Sequence, residues 1–118
     1  MLNQVAPLDV TFQALADPTR RAMLERLSRG PASVSELARP LSMSFPAVMQ
    51  HLAILENSGL VASKKVGRVR TCRIEARALS AAQSWLNARR AEWASRLDRL
   101  DDYLNEMKDK GGDDDRRE

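Results

Sequence analysis

The sequence has very few of the residues on which most catalytic and metal sites depend. Its 118 residues include one cysteine and one histidine, and aromatic side chains make up 4% of the chain. A single cysteine cannot form an internal disulfide, which suits a reducing compartment. Without clustered carboxylates or a second histidine, no base–nucleophile pair can be assembled. We therefore expect a protein that is not an enzyme and that binds no cofactor.

Long hydrophobic runs are also missing. Although 43% of the residues are hydrophobic, no apolar stretch approaches the ~20 residues that a membrane span needs. The first residues include Asn3 and Asp9 instead of a basic segment leading into an apolar core, so no secretory signal is expected. We predict a cytoplasmic protein with no membrane partner. One domain is expected over residues 1–110, followed by a disordered charged tail over residues 111–118.

Positive charge is unevenly distributed along the chain. Through residue 75, ten Lys and Arg residues stand against six Asp and Glu residues, a net charge of +4. From residue 76 onward nine stand against ten, a net charge of −1. A local basic excess is typical of a surface that meets phosphates, because neutralising them releases counterions. A solvated hairpin tip rich in lysine is the alternative explanation.

A short helix is predicted in the middle of the chain. Val48, Leu52 and Leu55 recur at a spacing of four and then three residues, which places them on one buried helix face. Ser44 can cap the start of this helix by accepting a bond from a free backbone N–H. We expect the helix over about residues 45–58, with its opposite face exposed.

A basic hairpin is expected to follow over residues 61–74, with Gly67 at the turn between two β-prone segments. Upstream, Ser33 and Glu36 form a capping box that predicts another short helix, and two short helices joined by a tight turn make a helix-turn-helix. The expected fold is therefore mainly α with a small β-hairpin. A helix-turn-helix beside a basic hairpin is typical of a winged DNA-reading unit.

Several side chains of this unit are candidates for contact with double-stranded DNA. Gln50 can form a bidentate bond with adenine, whereas Phe45 and Ala47 can touch a thymine methyl group. The candidates are Ser44, Phe45, Ala47, Gln50 and His51 on the helix, Lys64, Lys65, Arg68 and Arg70 on the hairpin, and Arg20 and Arg21 as further phosphate contacts.

Structural explanations remain open for some of these candidates. Phe45 can instead pack against neighbouring methionines, and a histidine such as His51 is often half-buried and bonded to backbone. Arg20 and Arg21 lie near a helix start, where cations oppose the helix dipole. That position favours a phosphate partner, but an exposed arginine pair is an equal alternative.

A long helix is predicted from Ala76 to about Lys110, because no proline or glycine interrupts this part of the chain. Apolar side chains recur in it every seven residues, as in the seam of a helix that packs on another helix. We expect a two-fold homodimer built from this helix and a first helix at about 8–16. A helix folded back on its own domain is the alternative. The expected interface residues are Leu8, Phe12, Leu15, Leu86, Trp93, Leu97, Leu100 and Leu104.

Three blocks of the sequence stand out: LADPTRRAMLERL at 15–27, SVSELARPLSMSFPAVMQHLAILENSGLV at 33–61 and KKVGRVRTCRIE at 64–75. In this order and spacing they resemble the ArsR/SmtB family of dimeric winged-helix repressors. The resemblance implies that the helix from about Phe45 enters the major groove and that the hairpin is a wing along the DNA backbone. It also implies that the terminal helices form the dimer.

The chain departs from the metal-sensing members that it resembles. Those members have a cysteine pair in the third helix and Asp, His or Glu ligands in the last helix, but here residues 35–41 contain no cysteine and the last helix contains no histidine. Cys72 and His51 are the only soft ligands, so no metal-ligand cluster can be assembled, and we predict a metal-independent member. Ala53 and Met49 also differ from the residues usual in relatives, so an operator sequence cannot be transferred from them.

Cys72 is expected to be a small half-buried hydrophobic residue, because it lies on the same strand face as Ile74. A redox-active thiol is the alternative, although no second cysteine is present in the subunit to resolve a sulfenic acid.

The sequence thus predicts a dimeric, sequence-specific transcriptional regulator, in the first place a repressor, that reads a pseudo-palindromic operator without a metal site. No effector is indicated. The alternative is a winged-helix protein-interaction module without sequence-specific DNA binding, in which the basic hairpin would serve solubility.

Overall fold

The structure is a computed structural model that describes the backbone of residues 7–117 and the side chains of residues 7–110. The elements are α1 (Pro7–Leu15), α2 (Pro18–Leu27), β1 (Ala32–Ser33), α3 (Val34–Ala38), α4 (Phe45–Asn57), β2 (Val61–Val66), β3 (Val69–Ile74) and α5 (Ala76–Arg117). The predicted class, mainly α with a small β-hairpin, is confirmed.

The helices begin where side chains can cap them. Asp17 accepts a bond from the backbone N–H of Arg20 at 3.0 Å, which starts α2. Ser33 and Glu36 form the predicted reciprocal capping box at the start of α3. These bonds satisfy backbone donors that have no partner inside the helix. They also lower the pKa of the Asp17 carboxyl, chiefly through the Arg20 backbone bond, and that of Glu36, chiefly through the Ser33 bonds.

The sheet has one strand more than the predicted hairpin. Its order is β1-β3-β2, and both pairings are antiparallel. The turn between β2 and β3 contains Gly67 with a φ of 63°, a left-handed conformation that glycine adopts without strain. In the two-residue strand β1, Ala32 pairs with Cys72 and Ser33 with Thr71. A strand of two residues is too short to show an alternating pattern, so the sequence prediction missed it.

The core lies between the helices and the inner face of the sheet. The predicted buried face of α4 is confirmed, since Val48, Leu52 and Leu55 are all nearly inaccessible to solvent. The largest fully buried side chains are Met23, Leu37, Val48, Leu52, Leu55, Leu60 and Cys72. Because three of these belong to α4, the core holds this helix from its inner side and leaves the opposite side exposed.

The chain divides into two compact units, one through Gln83 and one from Ser84. The expectation of a single domain over residues 1–110 stays a prediction. Among the described residues, no helix is both long enough and apolar enough to cross a membrane.

Helix α5 ends later than the sequence predicted. Its backbone continues through Gly111 and Gly112 to Arg117, where a disordered tail over 111–118 was expected. Glycine weakens a helix by only about 1 kcal/mol relative to alanine. Extending an existing helix also orders only one residue for each new hydrogen bond. Two glycines therefore do not by themselves end a helix. Residue 118 lies outside the described residues.

Candidate nucleic-acid interface

The exposed side of α4 carries the predicted reading residues. Ser44 caps the helix, with its Oγ accepting a bond from the backbone N–H of Ala47 at 3.3 Å. Gln50 and Phe45 are exposed, and Ala47 and His51 are half-buried. Phe45 is 55% exposed, so packing among the described residues does not cover it. An exposed aromatic at the first turn of this helix is available to a partner.

A groove of about 420 Å³ joins α4 to the hairpin. Phe45 and Met49 of α4 line it together with Lys65, Arg68 and Arg70 of strands β2 and β3 and the turn between them. Residues at the start of α3 also line it. The structure thus brings one predicted helix residue and three predicted hairpin residues into one concave, cationic surface. Lys64 is exposed on β2 but does not line this groove.

Arg70 has a second role that the sequence did not predict. Its Nη1 donates to Ser63 Oγ at 2.9 Å, and Ser63 Oγ donates to Glu56 Oε1 at 2.6 Å. Glu56 belongs to α4, whereas Ser63 and Arg70 belong to β2 and β3. This chain of bonds ties the hairpin to α4, so their relative position is held by side chains as well as by the core.

The guanidinium of Arg20 is bonded mainly within the protein. Its Nε donates to the Ala14 carbonyl at 2.8 Å, its Nη2 to the Gln13 carbonyl at 3.0 Å, and its Nη1 lies 3.2 Å from His51 Nδ1. These bonds give Arg20 a structural role that the sequence did not predict, and they leave few of its donors for a phosphate. Arg21 is exposed, and its Nη1 donates to the Leu15 carbonyl at 2.8 Å.

His51 therefore lies beside two charged side chains, Arg20 of α2 and its N-cap residue Asp17, and not against a backbone group as the alternative explanation expected. Its Nδ1 is 3.8 Å from Asp17 Oδ2 and nearer to Arg20. The positive charges of Arg20 and, when protonated, His51 add to the backbone bond in lowering the pKa of Asp17. Because the bond between Arg20 and His51 joins residues 31 positions apart, no local sequence pattern indicates it.

Cys72 is fully buried in the central strand rather than half-buried as expected, between Ala32 of β1 and Ser63 of β2. Burial raises the pKa of its thiol, and the charge of Glu56 adds to this effect. A buried neutral thiol is a poor nucleophile, since the thiolate is the reactive form. These observations favour the packing role over redox activity.

Metal ligands are not clustered in the described part of the chain. Among residues 7–110, no group of three or more His, Cys, Asp or Glu side chains is arranged to hold a metal ion.

The residues predicted to form an interface differ in exposure between the two units. Leu8, Phe12 and Leu15 of α1 are partly buried, and Leu15 packs against the core. In the second unit, Trp93 is 61% exposed and Leu97 is 54% exposed. Leu86, Leu100 and Leu104 are exposed to about the same degree. An apolar row of this length is unusual on a free surface.

Comparisons with known proteins agree with this geometry. The family model of bacterial regulatory proteins of the arsR family matches residues 17–63. The HTH-type transcriptional regulator Rv2034 of Mycobacterium tuberculosis is 46% identical over 79 residues, which cover 67% of this chain and 74% of that protein. A transcriptional repressor SmtB homolog of Synechocystis sp. is 37% identical over 67 residues, covering 57% of this chain and 51% of the relative.

The fold is also that of a solved regulator. The crystal structure of an ArsR family transcriptional regulator has a TM-score of 0.72 and 54% sequence identity to this chain, and the match covers 75% of this chain and 92% of the other. The predicted winged helix-turn-helix is thereby confirmed, with β2 and β3 as the wing. This chain belongs to the ArsR family of DNA-binding transcriptional regulators.

Proposed function

We propose that this protein is a dimeric repressor that reads a pseudo-palindromic operator, with α4 in the major groove and the wing (β2 and β3) along the DNA backbone. The observation that carries the proposal is the groove in which Phe45 of α4 meets Lys65, Arg68 and Arg70 of the wing. It sets an exposed helix start, which suits base edges, beside three cations, which suit phosphates. A relative named as a repressor supports the repressing role.

The exposed residues divide by chemistry into two roles. Gln50 has the donor and acceptor needed for a bidentate bond to adenine, and Phe45 and Ala47 can contact thymine methyl groups. The bidentate bond contributes about 1–3 kcal/mol of discrimination against the wrong base. The Ser44 hydroxyl and the wing cations reach phosphates, which set register but carry no sequence information.

Exchanging Arg68 and Gln50 for alanine tests this division. Arg68→Ala should weaken binding by a similar factor on operator and random duplexes and should reduce the slope of log affinity against log salt by about 1. Gln50→Ala should leave the slope unchanged but alter the ranking of operator variants. Fluorescence anisotropy at several salt concentrations measures both quantities.

Arg99→Ala is the control for Arg68→Ala, because it removes the same charge from an exposed position on α5. Arg99 lies in the second compact unit, whereas the wing belongs to the first. It should leave affinity nearly unchanged. If both test variants lost equal affinity on operator and random DNA, the proposed division of roles would be wrong.

A winged-helix module that binds only proteins is the rival function. A phosphate reader loses duplex affinity steeply as salt rises, and a dimer of such readers prefers two half-sites about one helical turn apart. Wild-type protein that showed no preference for any such operator over random duplex at moderate salt would favour the rival.

The dimer proposal rests on the apolar row along α5. Leu86, Trp93, Leu97, Leu100 and Leu104 follow a spacing of seven or of alternating four and three residues, and all are exposed in the single chain. Such a row matches the seam of two packed helices, in which each side chain enters a gap on the partner. Leu8, Phe12 and Leu15 of α1 are proposed to extend the same interface.

Regulation is proposed to be independent of metal. The support is the donor chemistry, because the one cysteine is buried in the sheet and the one histidine is engaged by Arg20. Zinc titration by calorimetry, followed by DNA binding with and without zinc, should reveal no stoichiometric site that alters operator affinity. A submicromolar zinc site that changed operator binding would contradict this proposal.

A further inference from the structure

We propose that Arg20 is a positioning residue that fixes His51 as the tautomer protonated on Nε2, so that His51 offers a neutral N–H donor to a DNA phosphate. This inference rests on the proposed function, because it assigns a role to a residue of the reading helix. It adds what a helix-turn-helix pattern does not specify: which nitrogen of the ring faces the DNA and what sets that choice.

The tautomer follows from what a guanidinium can do. Arginine has only donors, so a nitrogen that faces it at bonding distance must present a lone pair. Arg20 Nη1 lies 3.2 Å from His51 Nδ1. With the lone pair on Nδ1, the proton of the neutral ring is on Nε2, at the other side of the imidazole.

Arg20 cannot easily swing away and release the ring. The Ala14 and Gln13 carbonyls at the end of α1 hold its Nε and Nη2 at 2.8 Å and 3.0 Å. Its backbone N–H is bonded to Asp17 at the start of α2. Arg20 is thus held at its backbone and at its guanidinium. His51 is the part of this contact that belongs to α4.

Among the described residues, Asp17 is the acidic group that the structure places within 4 Å of a ring nitrogen. Its Oδ2 is 3.8 Å from Nδ1, beyond hydrogen-bonding distance, and already accepts from the Arg20 backbone. Arg20 therefore determines the state of Nδ1 in the neutral ring. Asp17 would accept a hydrogen bond from Nδ1 only if that nitrogen carried a proton and lay closer.

His51 is placed to use the free nitrogen. Its side chain is 21% exposed on the helix that carries Gln50, and the structure gives Nε2 no partner within residues 7–110. A neutral donor that meets a phosphate adds affinity without releasing a counterion, in contrast to the wing arginines. The two kinds of phosphate contact can therefore be told apart by salt dependence.

The tautomer can be measured directly, because the chain has a single histidine and its imidazole signals need no assignment. Long-range ¹H–¹⁵N correlation spectra of the uniformly labelled, DNA-free protein at pH 8 should show Nε2 protonated and Nδ1 unprotonated. In Arg20→Leu, which has no side-chain donor to face Nδ1, both tautomers should be populated. A wild-type ring protonated on Nδ1, or an even mixture of tautomers, would overturn the inference whatever the protein does with DNA.

Two substitutions of His51 test the roles of its two ring nitrogens separately. In His51→Asn, the side-chain amide reaches the position of Nδ1 and keeps an acceptor for Arg20, but it has no group at Nε2. In His51→Gln, the amide nitrogen reaches the position of Nε2 and keeps the donor. Operator affinity should fall roughly tenfold in His51→Asn, as for a lost bond to a charged group, and should stay near the wild-type value in His51→Gln. The salt slope should be unchanged in both.

Equal losses in the two variants, or a loss only in His51→Gln, would contradict the role of the Nε2 donor. Thermal unfolding of both variants identifies any loss that comes from misfolding. Wild-type protein that failed to prefer any operator would overturn the proposed function instead, and the tautomer measurement would still decide the position of the proton.

Discussion

Replacing Leu97 and Leu100 together by glutamate should turn the dimer into a monomer and lower affinity for a two-site operator by roughly 100-fold or more. The two side chains are 54% and 50% exposed in the single chain and lie four and seven residues after Trp93 on the apolar row. Carboxylates in that seam would have to be buried unpaired, which is strongly unfavourable. Sedimentation equilibrium would measure the association state, and anisotropy would measure affinity for whole operators and half-sites.

The half-site duplex makes the cause of this loss clear. One subunit can bind one half-site without a second subunit, so affinity for a half-site should change little. The avidity that comes from linking two DNA-binding subunits in one dimer should disappear. Ser95→Glu with Asn105→Glu is the matched control, since it adds the same two charges to exposed positions away from the row. A double-leucine variant that stayed dimeric, or a monomer that bound the whole operator normally, would contradict the proposed interface.

The parts of the fold that the sequence predicted well depend on residues close together in the chain. The cap of α4 joins Ser44 to Ala47, and the capping box of α3 joins Ser33 to Glu36. Both bonds span three residues, so the spacing of residue types alone indicates them. The buried face of α4 was equally predictable, because apolar residues at helical spacing all lie on one face of the helix and that face is the one that packs against the core.

The parts that were missed join distant segments. The Glu56–Ser63–Arg70 chain and the contact between Arg20 and His51 depend on how the helices and the wing come together. Many side chains of the sequence could form a hydrogen bond with a serine such as Ser63. Only the tertiary packing determines which of them lies close enough to do so. For Arg20, the position at a helix start suggested a phosphate partner, but the carbonyl groups at the end of α1 satisfy two of its donors.

These missed bonds also change the meaning of the predicted site. The sequence indicated a row of independent DNA contacts, whereas the structure bonds two of them, Arg20 and His51, directly to each other. Arg70 reaches α4 through Ser63, and His51 reaches the end of α1 through Arg20. The reading helix is thus bonded on one side to the wing and on another to the helix that is proposed to enter the dimer interface.

The core under α4 should have the largest effect on stability. Leu55→Ala should lower the free energy of unfolding by about 2–5 kcal/mol, because the side chain is 0% exposed and its removal leaves a cavity as well as lost apolar burial. A domain of this size is stable by only about 5–15 kcal/mol. The change would therefore remove a large part of the total. Urea unfolding at fixed protein concentration gives the value, since association with a partner contributes to apparent stability.

Ile54→Ala is the matched control, because it deletes the same number of carbon atoms from the adjacent position of α4. Ile54 is 39% exposed, so its loss should cost about 1 kcal/mol at most. If the two variants were equally destabilised, burial at Leu55 would not be what holds the reading helix. Operator affinity of Leu55→Ala should fall only in proportion to its unfolded fraction, because the core determines how much of the protein is folded. In the folded protein, the bonds of Arg20 and Ser63 hold α4 in position.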